Sequence, residues 1–287
     1  MKKFHDFNLK DYNSFKIDAV CRNAYFPDTI EDVVEIYAKV IDKDDIIVIG
    51  EGNNIILEKE YYDKDFIIFN NSFNAIHSVG GQNLICQAGV SLKKLSEYAM
   101  ENALGGLEIF YDIPSSLGGA IVMNAGAYGI EIKDYIVSVK CLNSITLEVE
   151  NYKLEDLNYS YRTSVFQQRK ELIVLEVELH LLEGIRSAIH EKMLEIKADR
   201  WRKQPRNYPN AGSVFKRPVG HYVGQIIEEL GLKGTTAGGA QVSEKHGGFI
   251  INVNNAKGSD IVKLIDLIQN KVYNKYGFKL EVEQRII

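Results

Sequence analysis

The chain has 287 residues, of which 45% are hydrophobic and 25% charged, and its formal net charge is -5. Those values match ordinary globular proteins and exclude disordered, collagen-like and coiled-coil classes. The acidic balance argues against nucleic acid or an anionic membrane as a partner, since both need a basic surface. No run approaches the roughly 18 apolar residues of a membrane helix, and Met1-Lys2-Lys3-Phe4-His5-Asp6 has no apolar stretch behind its lysines, so a cytoplasmic protein is expected. Cys21, Cys86 and Cys141 are odd in number and widely spaced, which predicts reduced, buried thiols and no metal site. A chain of this length suggests two or three modest domains.

The elements follow in chain order. Thr29 caps a helix in which Ile30, Val33, Val34, Tyr37, Val40 and Ile41 recur at helical spacing, with an end expected near Asp42. Ile46-Ile47-Val48-Ile49 reads as a buried strand that empties into the turn Gly50-Glu51-Gly52-Asn53-Asn54. Short β runs from Phe66 to about Val90 precede a helix capped by Ser91 and carrying Leu92, Leu95, Tyr98 and Ala99, closed by Gly105-Gly106. Residues 113–129 read as a glycine-rich loop. Strands are predicted over 137–142, 146–149 and 172–182, followed by a helix from Ser187 to Lys203 that Pro205 stops. Helices are then expected over 222–230 and 259–276, the second with Ser259 as its cap and Gly277 just beyond its end.

Five segments carry candidate chemistry. The glycines of the 50–54 turn could let backbone N–H groups approach a phosphate, although the turn lacks both the third glycine of a dinucleotide fingerprint and a Walker lysine, and taken alone a plain tight turn is the better reading. Pro114-Ser115-Ser116-Leu117-Gly118-Gly119-Ala120 and Asn124-Ala125-Gly126-Ala127-Tyr128-Gly129 are poor in side chain, so a large flat ligand could pack on their backbone; a structural loop is the alternative. Asn210-Ala211-Gly212-Ser213-Val214-Phe215-Lys216-Arg217-Pro218 places a serine in a small-residue turn just before two cations, which suits a proton donor beside an anion site. Tyr161-Arg162-Thr163-Ser164 and Leu280-Glu281-Val282-Glu283 add an arginine and a glutamate. Taken singly, Arg162 reads as a surface arginine, Ser213 as a turn hydroxyl and Glu283 as an exposed charge on an edge strand. His246, in Ser243-Glu244-Lys245-His246, has no second ligand at metal spacing and reads as structural.

In this order the five segments resemble the UDP-N-acetylenolpyruvoylglucosamine reductase family, over nearly the whole chain. The resemblance implies an α+β fold: a two-domain flavin-binding module of the vanillyl-alcohol-oxidase (PCMH) type over 1–70 and 71–200, and a C-terminal α+β substrate domain over 201–280, with 280–287 returning to the first. No large tyrosine-bearing insertion lies between Arg162 and Ser213, as in the family's shorter subtype. Implied cofactor contacts are Gly50, Gly52, Asn53, Asn54, Pro114, Ser115, Ser116, Gly118, Gly119, Ala120, Asn124, Gly126 and Ala127 for FAD. NADPH is implied as co-substrate and UDP-N-acetylglucosamine enolpyruvate as substrate, in peptidoglycan precursor synthesis. Arg162 and Glu283 are implied to stabilise an enol(ate), Ser213 to donate a proton, and Lys216 and Arg217 to meet the diphosphate. Asp112, Ser115, Ser116, Asn53 and Arg217 depart from the family's usual residues. A non-catalytic paralogue that binds flavin or nucleotide sugar is the competing expectation, and the oligomeric state is open, with a monomer as the default.

Overall fold

The structure, a computed structural model, describes residues 1–40, 42–70 and 73–287; Ile41 of the expected first helix, with Asn71 and Ser72, lies outside the described residues. The chain forms two compact units. Unit 1 comprises Met1–His5, Asn23–Glu51 and Lys64–Asp199, and unit 2 comprises Asp6–Arg22, Gly52–Asp63 and Arg200–Ile287.

Unit 1 is built on an antiparallel sheet whose strands lie in the order Val149–Lys153, Ile136–Asn143, Leu172–His180, Asn83–Gln87 and Ile76–Gly80. Leu172–His180 occupies the centre, which is why its first four residues are all buried instead of alternating. Ile46–Ile49 pairs in parallel with Asp65 to Ile68. Two helices arise where the sequence predicts them. Helix α1, Ile30–Lys39, starts with a capping box in which Thr29 Oγ1 accepts from Asp32 N at 3.2 Å, and it closes at Val40, earlier than the expected Asp42. Helix α2, Leu92–Glu101, is capped by Ser91 Oγ, which accepts from Lys94 N at 3.1 Å.

Two expectations for unit 1 are corrected. The segment expected to be a glycine-rich loop contains helix α3, Leu117–Met123, capped by Ser116 and ended by left-handed Asn124 (φ 44°). Gly118 and Gly119 disfavour a helix intrinsically, and tertiary packing overrides them. The strand expected over 146–149 forms later, at Val149–Lys153, because Asn143 Oδ1 accepts from Ile145 N (3.0 Å) and Thr146 N (3.3 Å) and folds those residues into the hairpin turn.

Helix α4 spans Arg186–Lys203. In unit 2, α5 (Val223–Glu229) buries Ile226 and Ile227, and three short strands, Thr236–Ala237, Ala240–Val242 and Ile250–Asn252, form an antiparallel sheet. Helix α6, Gly258–Tyr276, buries Ile261, Leu264, Ile265, Ile268 and Val272, the stripe its spacing predicts. Its cap is Lys257, two positions earlier than the expected Ser259. The Asp260 carboxylate accepts from the N–H groups of Lys257 (3.1 Å) and Gly239 (3.2 Å) and does the capping that Ser259 was expected to do. Gly277 ends α6 at φ 77°, as expected. Cys21, Cys86 and Cys141 are buried, and burial pushes the Cys86 and Cys141 thiols up to about 12, which makes those two inert. Among the described residues no helix is long and apolar enough to cross a membrane.

Phe110 has no exposed surface and meets Tyr135 edge-on with ring centroids 6.5 Å apart. Phe110→Ala should therefore lower unfolding stability by about 3–5 kcal/mol, read from denaturant midpoints at constant slope.

Candidate active site

In unit 1 the strand Ile46–Ile49 delivers Gly50 directly onto the cap of α3. A Cβ on Gly50 would lie 2.0 Å from Ser116 Oγ, so this glycine is required by space and not by backbone conformation. The first N–H groups of α3 are already engaged: Leu117 N donates to Val90 O (2.7 Å), Gly118 N to Ala88 O (2.8 Å), Gly119 N to Ser116 Oγ (3.2 Å) and Ala120 N to Ser116 O (3.0 Å). The start of α3 is consequently no phosphate cradle. Gly118 has a packing duty, since its Cβ would stand 2.9 Å from that of Ala88.

What this segment offers a ligand is bare main chain. Ser115, Gly118, Gly119, Gly126 and Ala127 are half-buried and Pro114 is exposed, so a planar ring system can come close to the backbone with little side chain in its way. Ala120 and Asn124 have no exposed surface, and Ser116 almost none, so these three expected contacts act by shaping the segment.

Arg162 sits in a tight turn where Ser160 and Thr163 exchange both backbone hydrogen bonds at 3.1 Å, and its own φ is 53°. Its guanidinium donates to Asn124 O (3.1 Å) and Gly126 O (2.6 Å). Asn124 answers from the other side, donating its amide to Ser160 O (3.0 Å) and to Glu131 Oε2 (2.9 Å). Ser164, fully buried, and Gln167 both donate to Val122 O, at 2.6 and 2.9 Å. The arginine turn and the end of α3 are therefore one stitched body, and Ser164, Gln167 and Glu131 are contributors that the motif pattern did not single out.

Unit 2 brings Ser213 and Glu283 onto neighbouring backbone. Glu283 N donates to Val214 O at 2.8 Å, Lys216 N to Glu281 O at 2.9 Å, and Phe215 bridges Val282 in antiparallel fashion. Ser213 is exposed and Glu283 half-buried. Asn54 Nδ2 donates to Glu283 O (3.2 Å) and Asn54 O accepts from Arg285 N (2.9 Å), so Asn54 anchors the glutamate strand, while Arg285–Ile286 pairs in parallel with Ile55–Ile56. Gly52, at φ 66°, presses against Tyr12 O, and Ser14 Oγ donates to Asn53 Oδ1. The Lys216 side chain is only 15% exposed, and its Nζ pairs with Glu281 at 2.7 Å, a partner sequence reasoning missed. The Arg217 guanidinium lies 3.9 Å over the Tyr222 ring. His246 is structural, as expected: its Nδ1 accepts from Gly248 N at 3.1 Å, its ring meets Phe249 at 4.8 Å, and Phe249 bridges Ser213.

Residues 22–145 match the model of the FAD binding domain and residues 204–287 that of the UDP-N-acetylenolpyruvoylglucosamine reductase C-terminal domain. With the bare backbone surface around α3, the first match defines a flavoprotein, an FAD-dependent oxidoreductase. A reductase of that second name from Francisella tularensis is 38% identical over 98% of both chains, and one from Thermosipho melanesiensis is 40% identical over 97% of this chain and 93% of its own. The crystal structure of the UDP-N-acetylenolpyruvylglucosamine reductase from Thermus caldophilus superposes with a TM-score of 0.83 at 28% identity, covering 99% of this chain and 98% of that one. The chain belongs to the UDP-N-acetylenolpyruvoylglucosamine reductase family.

Asn124→Ala removes two side-chain donors and leaves the left-handed position to a residue that tolerates it poorly. It should cost about 1–3 kcal/mol of stability and reduce the flavin retained through gel filtration. Burial holds the His246 imidazole below its ordinary value, so the unfolded chain binds the proton more readily and stability falls as pH drops below about 6.5. Urea midpoints between about pH 5 and 8 should show that fall, and His246→Asn, which keeps an acceptor without titrating there, should flatten it.

Proposed function

We propose that this chain reduces UDP-N-acetylglucosamine enolpyruvate to UDP-N-acetylmuramate with NADPH, in the cytoplasm, as a step of peptidoglycan precursor synthesis. The observation that carries the reading is the serine turn and the glutamate strand joined by main-chain hydrogen bonds within unit 2, in a chain that matches family members end to end. Residues 1–70 and 71–200 are proposed to hold the flavin, and 201–280 the substrate.

Bound FAD supplies two-electron chemistry, accepting a hydride from NADPH and delivering one to the vinyl carbon of the enolpyruvyl ether. Gly50, Ser115, Gly118, Gly119, Gly126 and Ala127 would hold the flavin through exposed main chain; buried Ser116, Ala120 and Asn124 would keep that segment in shape. Hydride addition places a second negative charge next to an ionised carboxylate. Arg162 stabilises it with a guanidinium fixed in advance by Asn124 O and Gly126 O, and a preorganised donor of this kind contributes about 3–4 kcal/mol to the barrier. Glu283 assists by hydrogen bonding to the enol(ate). The Ser213 hydroxyl gives its proton to the carbon adjacent to the hydride acceptor, which saturates the double bond and leaves a serine alkoxide that solvent reprotonates. Serine is a weak acid, and it serves because the centre it protonates is strongly basic. Lys216 and Arg217 receive the diphosphate, Lys216 sharing its charge with Glu281.

Stopped-flow absorbance separates the two half-reactions. Ser213→Ala should leave bleaching of the flavin by NADPH unchanged and slow its recolouring by the enolpyruvyl substrate by about 100-fold or more. Equal damage to both halves would remove Ser213 from the donor role, and binding of the UDP-sugar by the parent chain without turnover would favour a non-catalytic paralogue.

A further inference from the structure

Gln284 follows Glu283 and is only 3% exposed, yet it is polar. Its Nε2 donates to Ala211 O at 2.9 Å and to Gly212 O at 3.2 Å, the two carbonyls that immediately precede Ser213. Its Oε1 is buried with no hydrogen-bond partner among the described residues. The amide cannot be turned round, because Oε1 would then face two carbonyl oxygens. A side chain kept only for packing would avoid the cost of an orphaned buried acceptor, and an apolar residue of the same length would do so. The amide is explained by what its nitrogen holds.

We propose that Gln284 is a positioning residue that sets the Ser213 hydroxyl relative to Glu283; the inference rests on Ser213 being the proton donor. The mechanical argument runs through Gly212. Its φ is 79° and a Cβ there would meet nothing, so conformation and not space demands glycine, and an unrestrained glycine would be the loosest joint of the turn. Gly212 N donates to Asn210 Oδ1 at 3.1 Å, and Asn210 is itself tied to Tyr208 O at 2.8 Å. Gly212 O is tied by Gln284. Ala211 O and Gly212 N–H tie the planar peptide before the glycine and Gly212 O ties the one that leads into Ser213, so both peptides flanking Gly212 are held. The strand that supplies the clamp also carries Glu283, whose N–H bonds Val214 O at 2.8 Å, on the far side of Ser213. One short segment therefore registers donor and glutamate together.

The test uses the flavin-loaded full chain with Gln284→Met, Gln284→Glu, Ser213→Ala and the double variant Gln284→Met with Ser213→Ala. Gln284→Met should keep NADPH bleaching within about twofold of the parent, slow recolouring by the enolpyruvyl substrate between about 10- and 100-fold, and enlarge the solvent deuterium isotope effect on recolouring. In the Ser213→Ala background the same change should add little further slowing, because Gln284 acts through the hydroxyl that is gone. Gln284→Glu keeps the length but turns an acceptor towards two carbonyls, and should slow recolouring as well. Recolouring at the parent rate in either Gln284 variant overturns the proposal. So does additive slowing in the double variant, or parallel loss of both half-reactions, which would mark Gln284 as structural only. A Ser213→Ala variant with normal recolouring would instead sink the donor assignment itself, leaving the two failures distinguishable.

Discussion

In unit 1 everything around the end of α3 depends on where the backbone goes at Asn124. Left-handed backbone ends α3 there, the side chain is fully buried, and its amide nitrogen donates to Ser160 O and Glu131 Oε2 while the main-chain carbonyl of Asn124 accepts from Arg162. Asparagine tolerates this conformation better than other side-chain-bearing residues, since its short amide can satisfy local groups. The exchange is reciprocal. Arg162 holds the chain at Asn124 and Gly126, and Asn124 holds the turn that carries Arg162, so neither segment can shift alone. A guanidinium fixed this way needs no reorganisation when charge develops, which is the condition under which electrostatic stabilisation is strongest.

Unit 2 solves a similar problem with different means. Its candidate residues stand on short, irregular chain, where a hydroxyl would ordinarily wander. The answer is a dense set of backbone bonds: Val214 N to Gly248 O at 2.9 Å, Glu283 N to Val214 O at 2.8 Å and Lys216 N to Glu281 O at 2.9 Å. Side-chain amides finish the work, with Asn54 on Glu283 O and Gln284 on the serine turn. The functional groups are thus carried by loops, yet each loop is fixed at its main chain, the arrangement a site needs when geometry decides rate.

The motif order was legible in the sequence because it is set by residue identity: a serine between glycine and two cations, an arginine in a tight turn, a glutamate in the closing segment. The helices α1, α2 and α6 were legible because their apolar spacing and caps agree with burial. Helix α3 was not, since Gly118 and Gly119 argue locally against it and only the packing against Ala88 reveals why they are glycine. The Asp260 cap was hidden for a comparable reason: it works together with Gly239, 21 positions away. Gln284 was readable in principle. Leu280, Val282 and Gln284 share one side of an alternating strand, Leu280 is 1% exposed, and a polar residue on that inward register is a signal that something must receive its amide.

Charge follows a related logic around Lys216. The chain is acidic overall, so a diphosphate finds no general attraction and must be met locally. A bare, mostly buried ammonium beside the serine turn would be costly in the absence of ligand, and Glu281 at 2.7 Å removes that cost. The glutamate side chain is itself 69% exposed, so it is well hydrated and the pair is only loosely bound in energetic terms. Under the proposed function, an arriving phosphate oxygen would take over the lysine while Glu281 turns into water, exchanging one ion pair for another at small net cost. Arg217 lies 3.9 Å over the Tyr222 ring, so an aromatic face orders its guanidinium. Under the proposed function, an exposed glutamate on one cation and an aromatic face under the other would let an acidic protein meet a doubly charged group locally.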